Sequence, residues 1–309
     1  MITNIIKWIV TSCFLIVSHQ SFAAQWPTTF VNSDGTTTVI KAKPQRVLST
    51  SVSITGTLLA IDAPVIGSAS AANHQFFAQW QEVAKQRGVV DVWPAGSVDI
   101  EMAYALQPDL IVVSSSGADS ARAHIAQLQQ VAPTIVLDYS KQTWQDLANR
   151  LGKALGLEQQ VAKKIEQFNA YLKDSKEAMS LPEGRANIIS YQGPGAVNPI
   201  ATAQGSHGQL LSQLGFDIEQ PNPAWQTALD HRQDFIRSHY EHLTQLKAQT
   251  SFLLTRKGDQ VDDFLNDPVL ANLPSVQAKQ VYGLGKHSFR IDYYSAHEIV
   301  EQLVQRFAK

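Results

Sequence analysis

From Thr143 to Met179 the chain carries almost nothing but helix signal, stopped by Pro182-Glu183-Gly184, and on either side of it short apolar runs alternate with helical ones. Within this stretch Val161, Ile165, Phe168 and Leu172 recur at three- and four-residue spacing while Lys163, Lys164, Lys173 and Lys176 fall elsewhere, giving one apolar stripe. A long helix set between two strand-helix halves permits few architectures. It predicts an α/β protein of two Rossmann-like lobes joined by a single long α-helix, with a nearly preformed cleft between them.

Each half reads the same way. Trp26 to Lys43 places Asn32-Ser33-Asp34-Gly35 between two Thr/Val/Ile-rich arms, a β-hairpin on the outside of the domain. Arg46 to Ser49 is a strand that feeds the polar loop Thr50 to Ser53 and a helix from Thr55 to Ile61. Val65 to Gly67 is a second strand, and Asp99 to Leu106 a helix that runs into the continuous apolar run Leu110 to Val113, the pattern of a strand covered on both faces. A helix through Leu128 and a strand Thr134 to Leu137 complete the first lobe. Beyond the helical stretch come strands at Ala186 to Tyr191, Ser251 to Leu254 and Val281-Tyr282, and helices at Gly208 to Leu214 and Ala296 to Phe307. The expected division is therefore a signal at 1–23, an N-terminal lobe at 24–142, a helical connector at 143–182 and a C-terminal lobe at 183–309.

The first 23 residues set the compartment. Lys7, the apolar run Trp8 to Val17 and Ser21-Phe22-Ala23 form a positive n-region, a short h-region and a small-x-small cleavage site. That run falls short of the roughly 20 residues a membrane-spanning helix needs. The expectation is export and removal of the signal after Ala23, with a lipidated Cys13 behind Val10-Thr11-Ser12 as the alternative. Cys13 is the only cysteine, so the mature chain has no disulfide and no thiol chemistry. The whole chain has net charge −2, about −3 once Lys7 is gone, which gives no general attraction for nucleic acid. An anionic ligand would have to meet a local cationic pocket.

Catalytic patterns are missing. There is no G-x-S-x-G elbow, no H-E-x-x-H helix and no G-x-x-x-x-G-K-[ST] loop. His239 and His242, with His231 and Asp230 upstream, could share a metal, although a solvated helix face accounts for them more simply. No metal site and no resident cofactor is expected. Ligands of open α/β sheets bind beyond the carboxyl ends of the strands, which directs attention to the loops Thr50 to Ser53, Ser114 to Ala118, Gln192 to His207, Arg256 to Gln260 and Lys286 to Arg290. Arg256, Lys257, His287 and Arg290 follow strands there, beside Phe289, Tyr293 and Tyr294. A guanidinium fork suits phenolate or carboxylate oxygens, and an aromatic ring can stack on a catechol. Thr50 and Ser51 are candidate polar contacts, and in the first lobe His74, Lys85 and Arg87, alongside Trp80 and Trp93, are further candidates.

Several stretches together resemble one family: Pro44 to Val52, Leu59 to Ile66, Gln213-Leu214-Gly215-Phe216, Leu270 to Pro274 with Lys279 to Tyr282, and above all Phe289-Arg290-Ile291-Asp292-Tyr293-Tyr294-Ser295-Ala296. The chain is similar over nearly its whole mature length to the periplasmic ferric enterobactin-binding proteins, which are class III periplasmic binding proteins of the helical-backbone type. The resemblance implies a monomeric, non-enzymatic protein that captures a ferric catecholate siderophore and delivers it to an inner-membrane ABC permease, with Arg290 as a pocket arginine. It also implies docking to the permease through one exposed acid per lobe, at Glu101 and Glu241. Two departures bear on the ligand. The family's tryptophan is replaced around Asn198-Pro199-Ile200, for which Trp225 could compensate, and the loop around Ala71 to His74 is shorter. A haem or cobalamin carrier of the same fold is the nearest alternative, and a secreted metal-dependent hydrolase a remote one.

Overall fold

The computed structural model describes residues 26–140, 142–227, 234–256 and 261–309. The signal segment with Cys13, and the candidates Lys257, Asp230 and His231, lie outside the described residues.

Thr28–Val31 (β1) and Thr37–Ile40 (β2) form the expected antiparallel hairpin, with Phe30, Thr38 and Ile40 turned inward. Val47–Ser49 (β3), Val65–Ser70 (β4), Val90–Pro94 (β5), Leu110–Ser114 (β6) and Thr134–Leu137 (β7) make a fully parallel sheet in the order β5-β4-β3-β6-β7. Helices Val52–Ala60 (α1), Gln81–Gln86 (α2), Ile100–Leu106 (α3) and Ile125–Val131 (α4) cover it. The reason β6 is apolar from Leu110 to Val113 is visible in its packing. Leu110 and Val112 enter one hydrophobic cluster while Ile111 and Val113 enter another, because alternate side chains of a strand face opposite sides. Each such burial stabilises the fold by about 1.5–3 kcal/mol. The hairpin is pinned to β7 by Asn32, whose side-chain carbonyl accepts the Val136 amide at 2.8 Å.

The helical stretch is not one helix. Trp144–Leu155 (α5) opens with a capping box in which Thr143 and Asp146 bond reciprocally, and it ends at Gly156, whose φ of 63° is left-handed. Glu158–Ala178 (α6), 21 residues long, then carries the chain to the second lobe. Composition had suggested continuity because good helix formers flank the glycine on both sides.

Arg185–Ile189 (β8), Val197–Ala201 (β9), Asp217–Ile218 (β10), Phe235–His239 (β11), Thr250–Leu253 (β12) and Val281–Gly283 (β13) form the second sheet. Its order is β11-β9-β8-β12-β13, with β10 beside the start of β8. Strands β8, β12 and β13 run parallel, whereas β9 and β11 form an antiparallel edge that the strand-helix alternation had not indicated. Helices Ser206–Gln213 (α7), Asp262–Leu265 (α8), Pro274–Gln277 (α9) and Tyr293–Phe307 (α10) accompany it. The closing helix α10 packs against both α6 and α1, and one hydrophobic cluster runs from Phe30 and Ile54 in the first lobe to Phe252 and Phe307. Two lobes thus share a continuous core.

Candidate functional site

Strand order reverses between β3 and β6 in the first sheet, so the loops after these strands open a crevice beyond their carboxyl ends. The corresponding edge of the second sheet faces it. Ser53, Tyr139, Gln142 and Trp144 from one side, and Ser206, His207, Asp234, Phe289 and Arg290 from the other, line an inner recess. A wider cleft of about 340 Å³ opens beside it, walled by Phe76, Phe77 and Gln79 of the first lobe and by Lys286, His287, Phe289 and Arg290 of the second. Phe289 and Arg290 form the wall common to both spaces. Ser206 Oγ donates across the junction to the Gln142 carbonyl at 3.0 Å, and Gln79 Nε2 donates to Asp292 Oδ2 at 3.1 Å.

Arg290 is the best placed of the expected cations. Its side chain is 20 % exposed, and its Nη1 stands 3.7 Å from Asp234 Oδ2, an ion pair too long for a hydrogen bond. Its Cζ lies 5.1 Å from the ring centroid of Phe289 and 5.1 Å from that of Tyr139. Phe289 in turn stacks on Phe235 at 5.8 Å. His207 is fully buried, and burial pushes it down to about 4, with the Arg290 charge adding to the effect against the Ser288 carbonyl. The imidazole is therefore neutral, and its Nε2–H donates to that carbonyl at 2.7 Å.

The other candidates divide. The loops after β12 and β13 are stitched together, since Gly285 N donates to the Arg256 carbonyl at 2.8 Å and Thr255 N to Ser288 Oγ at 2.9 Å. Arg256 thus stands at the same sheet edge, but its Nη2 donates to the Tyr191 carbonyl at 3.4 Å and the side chain lines neither space. His287 lines the wider cleft while its Nδ1 meets Glu298 Oε2 at 2.8 Å. His74 sits in a left-handed turn, φ 58°, and is exposed; Asn73 and Gln75 line the cleft, and His74 does not.

Seven more of the candidate residues line neither space. Thr50 and Ser51 are buried: the Thr50 hydroxyl donates to the Val112 carbonyl at 3.2 Å and the Ser51 hydroxyl to Asp119 Oδ2 at 2.6 Å, so both serve the turn into α1, and their neighbour Ser53 reaches the recess instead. Trp93 is only 5 % exposed and packs among Leu48, Ala69, Val92 and Val113, because an inward position on β5 puts its ring in the core. Arg87 pairs with Asp62 at 2.6 Å where α2 and α1 lead into the starts of β5 and β4, at the sheet edge opposite the cleft. Trp225 lies parallel to His242 at 5.3 Å and packs against the second lobe's own cluster, outside both spaces. Lys85 lines neither space, and Trp80 is buried against Phe76 and Phe77.

Sequence reasoning missed Tyr139, Gln142, Asp234 and the aromatic pair Phe76 and Phe77. Tyr139 could have been found by the rule that selected the other loops, since it follows β7 directly. Asp234 could not, because it stands immediately before the unforeseen strand β11. Glu101 and Glu241 are both exposed, in the first turn of α3 and of the 3₁₀ turn Tyr240–Gln245. Among the described residues no group of three or more His, Cys, Asp or Glu side chains is placed to hold a metal ion.

Residues 47–287 match the family model described as periplasmic binding protein. The chain belongs to the periplasmic binding protein family. It is 39% identical over 296 residues to the ferric enterobactin-binding periplasmic protein FepB of Escherichia coli, covering 92% of each chain. Over 266 residues it is 27% identical to the Fe(3+) dicitrate-binding periplasmic protein FecB of the same species, covering 76% of this chain and 81% of that one. Among solved structures, holo-ViuP superimposes with a TM-score of 0.91 at 56% identity, covering 92% of this chain and 96% of that one. The catecholate-siderophore binding protein VctP of Vibrio cholerae shares the fold with a TM-score of 0.63 at 18% identity, over 90% of this chain and 98% of that one. As a periplasmic binding protein the chain has its cleft where the fold requires one, between the carboxyl edges of two sheets.

Proposed function

We propose that this chain is a non-catalytic periplasmic solute-binding protein that captures an Fe(III)-catecholate siderophore and delivers it to an inner-membrane ABC importer. Arg290 carries the reading. A guanidinium flanked by two aromatic rings keeps its N–H edge available for phenolate oxygens, and it stands on the wall of the cleft of about 340 Å³. A tris-catecholate complex of ferric iron is trianionic and already fills six coordination positions, so the protein has to supply positive charge and rings and no metal ligand. Arg290 and the exposed Lys286 supply charge in a chain that is otherwise slightly acidic. The relatives named for ferric enterobactin and for catecholate siderophores support the ligand class. Glu101 and Glu241, one on each lobe, are the acids proposed to meet the permease.

Quenching of tryptophan fluorescence tests the reading. Ferric enterobactin is expected to bind more tightly than ferric hydroxamates, haem or cobalamin, and Arg290→Gln to weaken it roughly ten- to hundredfold, the scale of one hydrogen-bonded charge. Tight binding of haem alone, or stoichiometric zinc retained by the purified protein, would replace this function with one of its rivals.

A further inference from the structure

Arg290 belongs to the second lobe, yet one of the two rings that hold its guanidinium belongs to the first. Tyr139 follows β7, is 9% exposed, and places its ring centroid 5.1 Å from the Arg290 Cζ. Its own position is fixed from below. The phenol donates to Asp119 Oδ1 at 3.1 Å, while Asp119 Oδ2 accepts the Ser51 hydroxyl at 2.6 Å and the Ser53 amide at 3.0 Å. Both carboxylate oxygens are occupied and Asp119 is 5% exposed, so it cannot turn without stranding a buried charge. Gly117 completes the seat: it has φ +95°, and a Cβ there would collide with the Tyr139 hydroxyl. The loop after β6 thus leaves room for the phenol and also supplies the carboxylate that orients it.

We propose, on the basis of the ligand role of Arg290 argued above, that Tyr139, seated on Asp119, is a positioning residue through which the first lobe fixes the Arg290 guanidinium for an anionic ligand. An arginine side chain on a loop has several rotamers to lose, and two rings already in contact with its guanidinium reduce that loss before the ligand arrives. The contact also crosses from lobe to lobe. Burial raises the phenol above its ordinary range, which keeps it a neutral donor to Asp119 at any physiological pH.

A double-mutant cycle with ferric enterobactin as the probe separates positioning from direct contact or simple support of the fold. Tyr139→Leu should weaken binding about tenfold in the parent protein, the scale of one partly desolvated cation–π contact. In an Arg290→Gln background the same change should cost less than about twofold, because the group through which Tyr139 acts is gone. Tyr139→Phe, which keeps the volume and the ring but loses the bond to Asp119, runs the same cycle should the leucine variant fold poorly, with a smaller effect of about threefold expected. Equal losses in both backgrounds, or no loss from either Tyr139 variant, overturn the positioning role while leaving Arg290 as the ligand cation. No loss from Arg290→Gln itself overturns both.

Discussion

His207 and Asp292 are fully buried near the junction of the lobes, and burial moves their proton affinities in opposite directions. His207 is pushed down to about 4, and Asp292 up to about 6 against the Ser295 and Tyr294 amides and the Gln79 side chain that stabilise its charge. For His207 the unfolded chain binds the proton more readily, so its contribution is full above about pH 6.5 and is lost as pH falls toward 4. For Asp292 the folded chain binds the proton more readily, so its contribution is full below about 3.8 and is lost as pH rises through 6. The two oppose each other across the same window. Asp292→Asn should therefore make stability climb more steeply with pH between 4 and 6.5 than it does in the parent, as measured by urea unfolding at a series of pH values. An unchanged slope would show that Asp292 stays ionised there. At this scale the place of Arg290 and Phe289 on the cleft wall was legible because they follow a strand end, where an α/β fold opens its crevice. Thr50 and Ser51 were misread because a polar loop residue can satisfy the backbone as readily as a ligand, and its direction is not written in its type.

Among the elements, the break between α5 and α6 is the clearest case of local geometry hidden from composition. Gly156 adopts a left-handed conformation with its N–H bonded to the Gly152 carbonyl, and Gly152 lets α6 approach so closely that a Cβ there would lie 2.8 Å from Val161 Cγ2. Gly156→Ala should destabilise the protein by about 1 kcal/mol, because an L side chain is strained at positive φ. The expected result is a lower urea midpoint with an unchanged m-value; an unaltered midpoint would mean that the turn accepts alanine. The antiparallel edge β9-β11 escaped the sequence for a different reason. Asn198-Pro199 argues against a strand, and β9 meets β8 only briefly, at Ile189 opposite Ile200 and where the Ser190 amide donates to the Pro199 carbonyl at 2.8 Å. Its order comes mainly from β11, whose register runs from Phe235 opposite Ala201 to His239 opposite Val197.

On the scale of the whole molecule, the lobes are joined by more than the connector. Helix α10 leaves the second lobe's cleft loop, buries its N-cap Asp292 against Gln79 of the first lobe, and ends with the Ser180 amide bonded to the Phe307 carbonyl at 2.8 Å. The shared hydrophobic cluster makes each lobe part of the other's support. Thermal unfolding followed by far-UV circular dichroism and by tryptophan fluorescence should accordingly give coincident transitions, whereas two resolved midpoints would show that the lobes melt separately.

The amino-acid sequence by itself determined the α/β class, the two-lobed plan, most strand positions and several of the loops that border the cleft, because these follow from hydrophobic periodicity and from the rule that α/β crevices lie at strand ends. Only the tertiary structure decided which side chains of those loops face the cleft, that Tyr139 and Asp119 support an arginine from the other lobe, and that Trp93 and Arg87 serve the scaffold. Those outcomes depend on the hydrogen-bond partner or the packing surface that chain segments far apart in sequence bring to each residue, and residue type does not encode which of them will arrive.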